Sequence, residues 1–151
     1  MESPVDKADR LGRRRWRLFF VVAIILVTQQ ASFDRILDHT GGPWRTVEIV
    51  ALSGWVVLVI AALAALMTGG AYFHGREVRK LMNDELSNAN RSRALAGGFA
   101  IAILTAVVLF VVSLFRDNVS APEAIHGVVT VGLGGALLHF VRLERKAHAD
   151  G

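Results

Sequence analysis

Long apolar blocks alternate with short polar segments along this chain. The first block opens at Leu18–Val27 (LFFVVAIILV) and softens after it into Thr28, Gln29, Gln30 and Ser32. The second contains VVLVIAALAALM and closes on Gly69 and Gly70. The third, Ala94–Phe115, holds no charged residue, and the fourth, Ala121–Val141, is interrupted by Glu123, His126 and His139. Neither the period of two of a half-buried strand nor the apolar stripe of a soluble helix accounts for such blocks. Each is long enough to cross about 30 Å of hydrocarbon at about 1.5 Å per residue.

The pattern therefore predicts an all-α integral membrane protein with four transmembrane helices. The spans are placed at about Arg17–Leu37, Thr46–Thr68, Ala94–Phe115 and Ala121–Val141. The short linkers Asp38–Arg45 and Arg116–Ser120 force neighbouring spans to be antiparallel, so the expected fold is a single up-down-up-down bundle. In the middle loop, Tyr72–Arg93, the residues Val78, Leu81, Met82 and Leu86 recur at helical spacing. Arg79, Lys80, Asp84 and Glu85 occupy the other faces. This predicts a short amphipathic helix on the cytoplasmic membrane surface, leading into the third span.

Charge adds a direction. Of the 17 Lys and Arg residues, only Arg35, Arg45 and Arg116 lie on the side reached by the two short linkers. The rest lie in the N-terminal tail, the middle loop and the C-terminal tail. The positive-inside rule then places both termini and the middle loop in the cytoplasm. With this distribution, the isoelectric point near 10.3 is explained by anionic lipid headgroups beside Arg13, Arg14, Arg15, Arg79 and Lys80, and nucleic acid is not expected as a partner. GRRRWR before an apolar run also has the form of a secretory signal. The continuation of the apolar face through Phe33, Ile36 and Leu37 favours an uncleaved first span.

Composition narrows the chemistry. Apolar residues make up 53% of the chain and charged residues 20%, and cysteine is absent. Disulfides, thiolate metal sites and iron–sulfur clusters are thereby excluded. Small residues at intervals of four mark expected helix seams: Ala94, Gly98, Ala102 and Ala106 on the third span, Ala61, Ala65 and Gly69 on the second, and Gly132 and Ala136 on the fourth. Ser120-Ala121-Pro122-Glu123 reads as a capping box with proline in the first turn.

Candidate chemical groups are few. The midpoints of the spans (Leu26 and Val27, Val57 and Leu58, Thr105, Val131 and Gly132) carry no ionisable side chain, unlike the small multidrug exporters, whose first span holds a deep carboxylate. Gln29 and Gln30 are expected to hydrogen-bond across to another helix. Asp34, Asp38, Glu48, Glu123 and His126 form a candidate polar cluster at the outer face, where carboxylate and imidazole one helical turn apart suit a divalent metal or a proton relay. Helix capping and interfacial solvation account for the same residues, and no metal is predicted. His126 and His139 are 13 residues apart on one span. That spacing is comparable to the paired haem ligands of membrane b-type cytochromes, with His74 as a candidate inner partner and His39 an outer one. Haem stays an alternative to ordinary interfacial histidines.

The stretch Val78–Phe99 (VRKLMNDELSNANRSRALAGGF) resembles a segment of small four-span proteins of bacterial inner membranes, a group with no assigned activity. The resemblance implies the same topology and location, and a regulatory partner for the middle loop. The expected function is a non-enzymatic scaffold or regulatory partner in that membrane, as a homo-oligomer or with another membrane protein. A small haem redox protein and a minimal transporter or channel are the alternatives.

Overall fold

A computed structural model describes residues 4–37, 45–68, 85–115 and 120–149. These form four helices: α1 (Pro4–Leu37), α2 (Thr46–Thr68), α3 (Glu85–Ser113) and α4 (Ala121–Ala149). Three stretches, Thr46–Thr68, Ser87–Ser113 and Ala121–Ala147, are long and apolar enough to cross a membrane. The protein is thus helical and fits a multi-pass membrane protein.

Three helices outrun the apolar blocks that predicted them. α1 begins at Pro4 rather than Arg17, α3 at Glu85 rather than Ala94, and α4 ends at Ala149 rather than Val141. A helix has no reason to stop where hydrocarbon stops, because its backbone hydrogen bonds are internal. No proline interrupts the flanking polar segments, since Pro4 stands at the first position of α1, where its missing N–H costs nothing. The last part of the expected amphipathic helix, from Glu85, is the opening of α3, and its earlier residues lie outside those described.

α4 is the central element. Half of its apolar span is buried, against 17% for α2 and 6% for α3. On one side it meets α3 through the small residues expected to form seams. A Cβ added to Gly98 would collide with the Cβ of Ala136 and lie 2.8 Å from the Gly132 carbonyl oxygen. One added to Gly132 would lie 2.7 Å from Ala102 Cβ. Such close backbone approach maximises dispersion between helices, which is what lipid tails leave available for helix association. Of the stripe expected on α2, Ala65 is half-buried against the core, and Gly69 lies outside the described residues. Ala62 and Leu66 are buried while Ala61 is exposed, and α2 touches the other helices only lightly.

On its other side α4 packs against α1 in antiparallel register. Arg15 lies opposite Glu144, Phe19 meets Phe140 edge-to-face at 5.4 Å, and Val27 reaches Gly134. Buried or half-buried positions on α4 (His126, Thr130, Leu133, Leu137, Phe140, Glu144) alternate in steps of four and three, the spacing of a knobs-into-holes seam. On α1, Arg15, Phe19, Val22 and Leu26 do the same. The outer surface of α3 presents Phe99, Ile103, Val107 and Phe110 outward, as expected of side chains solvated by lipid.

Replacing Gly98 with alanine is expected to force α3 off α4 and destabilise the protein by about 1–3 kcal/mol. Gly54 has open space around its Cβ position, so Gly54→Ala should be neutral or stabilise by up to about 1 kcal/mol. Thermal unfolding of both variants in detergent measures the contrast.

Candidate functional site

The most concentrated buried polar chemistry among the described residues lies at the basic end of the helices, where α1, α3 and α4 converge. Arg15, Ser87, Asn90, Arg91 and Glu144 are all buried there. Arg15 Nη2 donates to Glu144 Oε2 at 2.8 Å and to Ser87 Oγ at 2.9 Å. Asn90 Nδ2 donates to the other carboxylate oxygen, Oε1, at 3.4 Å. The Arg15 guanidinium also stands 5.4 Å from the centre of the Phe140 ring, within cation–π range. One carboxylate on α4 thereby gathers a cation from α1 and an amide from α3.

Arg91 shares this enclosure but not the same quality of partners. Its Nη2 donates to Asn88 Oδ1, one turn earlier, at 3.2 Å. It feels repulsion from Arg15 and attraction from Glu144. Around the buried groups, Trp16 is flanked by Arg17 and Arg145, each 5.6 Å from its ring centre, while Arg14, Arg93, Arg142 and Lys146 are exposed.

The far end behaves differently. The capping box predicted at Ser120 forms: the Ser120 N–H donates to Glu123 Oε2 at 2.8 Å and the Glu123 N–H to Ser120 Oγ at 3.3 Å. Glu48 plays the equivalent part for α2, accepting the Arg45 N–H at 2.8 Å. Both carboxylates thus satisfy backbone donors that a helix start leaves over. His126 is buried and stacks on Trp55 with ring centres 4.6 Å apart. The side chain of Asp34, and Asp38 entirely, lie outside the described residues. Glu48 and Glu123 thus accept helix-start donors, and His126 packs against Trp55.

The remaining sequence candidates divide in the same way. His139 packs over Gly97, whose Cβ position lies 2.6 Å from the imidazole Nδ1, while His126 faces α2. His74, Arg79 and Lys80, and the side chain of Arg13, lie outside the described residues. Arg14 is exposed, as a lipid contact would be. Arg15 is not: expected at the lipid surface, it is only 8% exposed and paired with Glu144. Gln29, expected to bond across helices, leaves its Oε1 without a hydrogen-bond partner among the described residues. No group of three or more metal-ligating side chains occurs among them.

Glu144, Ser87, Asn90 and Arg91 were not singled out from the sequence. A signal for Glu144 was present, since it continues the four-and-three spacing of buried positions on α4 beyond the apolar block. Comparison with protein-family models, curated proteins and solved structures finds no match.

Changing Glu144 to leucine would leave Arg15 buried beside no carboxylate and is expected to cost about 3–5 kcal/mol. Adding Arg15→Met should restore much of that loss, because a buried pair replaced by apolar groups of like size is often neutral. A double-mutant cycle of unfolding in detergent reads the coupling.

Proposed function

We propose that this chain is a multi-pass protein of a bacterial inner membrane, with α1 as a fourth span and both termini cytoplasmic. In this reading it acts without catalysis, as a scaffold or regulatory partner for another membrane component. The observation that carries the proposal is the use made of the carboxylates at the far end. Glu48 and Glu123, carboxylates at the far end, each accept a backbone N–H at a helix start, which supports a structural part for them. The buried ion pair at the other end ties helices together. Support for the orientation comes from the basic residues: all but Arg35, Arg45 and Arg116 belong to the two tails and the middle loop, and Arg13, Arg14, Arg79 and Lys80 would meet anionic headgroups there.

A scaffold must offer a surface within the bilayer, and α3 has the most exposed apolar span. A photo-crosslinking residue at Ile103, on that surface, is expected to give a polypeptide adduct in native membranes that is lost when the same chain is diluted into pure lipid vesicles. Adducts with lipid alone in both settings would defeat the reading, as would ion flux in proteoliposomes abolished by Glu123→Gln. Reporter fusions at Gly41 and Asn118 should report from outside the cytoplasm, and one after Gly151 from inside.

A further inference from the structure

The ion pair that sets α1 against α4 brings a second group of side chains together just outside it. Because Arg15 meets Glu144, the next residues along each helix, Trp16 and Arg145, become neighbours. The Trp16 ring packs half-buried against the core, with the guanidinium carbons of Arg17 and Arg145 each 5.6 Å from its centre. Both arginines are exposed, and neither pairs with a carboxylate among the described residues. Stacking uses the face of a guanidinium and leaves the N–H groups in its plane for an oxyanion. A ring held by the core thus presents two arginines, one from each helix, at an open surface.

Position and spacing select the anion. The apolar run of α1 starts at Leu18 and that of α4 ends at Val141. The stacked group therefore sits where hydrocarbon gives way to headgroups, the depth that tryptophan and arginine favour. Two cations on one ring repel each other, and each calls for an anion of its own. Their guanidinium carbons stand no further apart than twice the stacking distance, a gap that two phosphates joined through one glycerol can bridge. Arg142 and Lys146 are exposed on α4 within one turn of Arg145 and add attraction for such a headgroup. We propose that Arg17, Trp16 and Arg145 form a discrete site for the two-phosphate headgroup of diphosphatidylglycerol. This differs from diffuse attraction of lipid to surface cations, because it assigns the affinity to arginines fixed by an aromatic ring. It is independent of the scaffold reading and requires only that the apolar stretch of α4 lie in a membrane.

The test is native mass spectrometry of the full chain in detergent, titrated with diphosphatidylglycerol and, separately, with phosphatidylglycerol, which has one phosphate. One diphosphatidylglycerol should be retained per chain, roughly tenfold more tightly than phosphatidylglycerol. Arg17→Gln and Arg145→Gln should each weaken it roughly tenfold, while Arg93→Gln, at an exposed arginine of α3, leaves it nearly unchanged. Trp16→Leu removes no charge, yet should weaken retention severalfold, and Trp16→Phe should restore most of it. Equal retention of the two lipids overturns the proposal, as does a loss in Arg145→Gln no greater than that in Arg93→Gln. Full retention in Trp16→Leu would leave only diffuse attraction and overturns it too. Displacement of the lipid by millimolar sodium pyrophosphate would point to a soluble ion as the ligand and overturn the lipid assignment. Thermal unfolding guards against a folding artefact. Arg145→Gln, changed at an exposed position, should melt with the native chain in lipid-free detergent, and diphosphatidylglycerol should raise the melting temperature of the native chain more than that of the variant. A rise of the same size in both would also overturn the proposal.

Discussion

The pairing of Arg15 with Glu144 constrains more of this molecule than any other contact. Neither charge can be left alone once covered, because an unpaired buried ion costs several kcal/mol. Their union fixes where the start of α1 lies against the end of α4. Ser87 and Asn90 then bind the same two side chains from α3, so three helices are brought to a common level by one carboxylate. Phe19 and Phe140 close the cluster on its apolar side. Beyond them, packing alone takes over. The order from the basic end inward is thus ion pair, aromatic pair, aliphatic seam.

Much of this architecture was legible in the sequence. Apolar block length gave the helices, and α2 fits its block from Thr46 to Thr68 without adjustment. The small-residue rule located the Gly98–Ala102 contact with Gly132 and Ala136, since only residues without bulk permit that approach. Ser120 and Glu123 cap α4 as their spacing implied. What hydropathy did not reveal lies where helices leave the apolar zone. Arg15 was read as a lipid-headgroup contact and Glu144 was not singled out, because the segments around them are basic and polar and Arg15 stands in a run of arginines that are equivalent by composition. Helical phase separates them: Arg15 is one turn before Phe19 on the face that meets α4, whereas Arg14 points away. Composition cannot see phase, and for α1 the relevant phase runs through the block boundary.

Hydroxyl groups tell the two faces of the helices apart in a similar way. Thr28, Ser53, Thr68, Thr105 and Ser113 each donate to a carbonyl one turn earlier on their own helix. That habit hides a polar group from lipid at little cost. Thr130 is 1% exposed, and its hydroxyl has no partner among the described residues. Continuing the register set by Arg15 and Phe19 brings Gln29 to the level of Thr130, and Gln29 Oε1 is likewise without a partner there. Polarity is therefore present at both ends of the α1–α4 seam, with aliphatic contact between.

That distribution bears on how the seam finds its register. An antiparallel seam of leucine, alanine and phenylalanine tolerates a slip of one turn, because one apolar layer replaces another with similar volume. Here a one-turn slip would set Arg15 against Phe140, or Glu144 against Phe19, and strip both charges of their partners. Losing the pair costs about 3–5 kcal/mol, whereas one apolar layer can stand in for the next. Phe140 reinforces the choice, since in the observed alignment it meets both the Arg15 guanidinium and the Phe19 ring. The buried ions then add little to the strength of helix association, which apolar contact supplies. Their contribution is to make one alignment of α1 on α4 distinct from its neighbours, and α3, bound to the same two side chains, inherits that alignment.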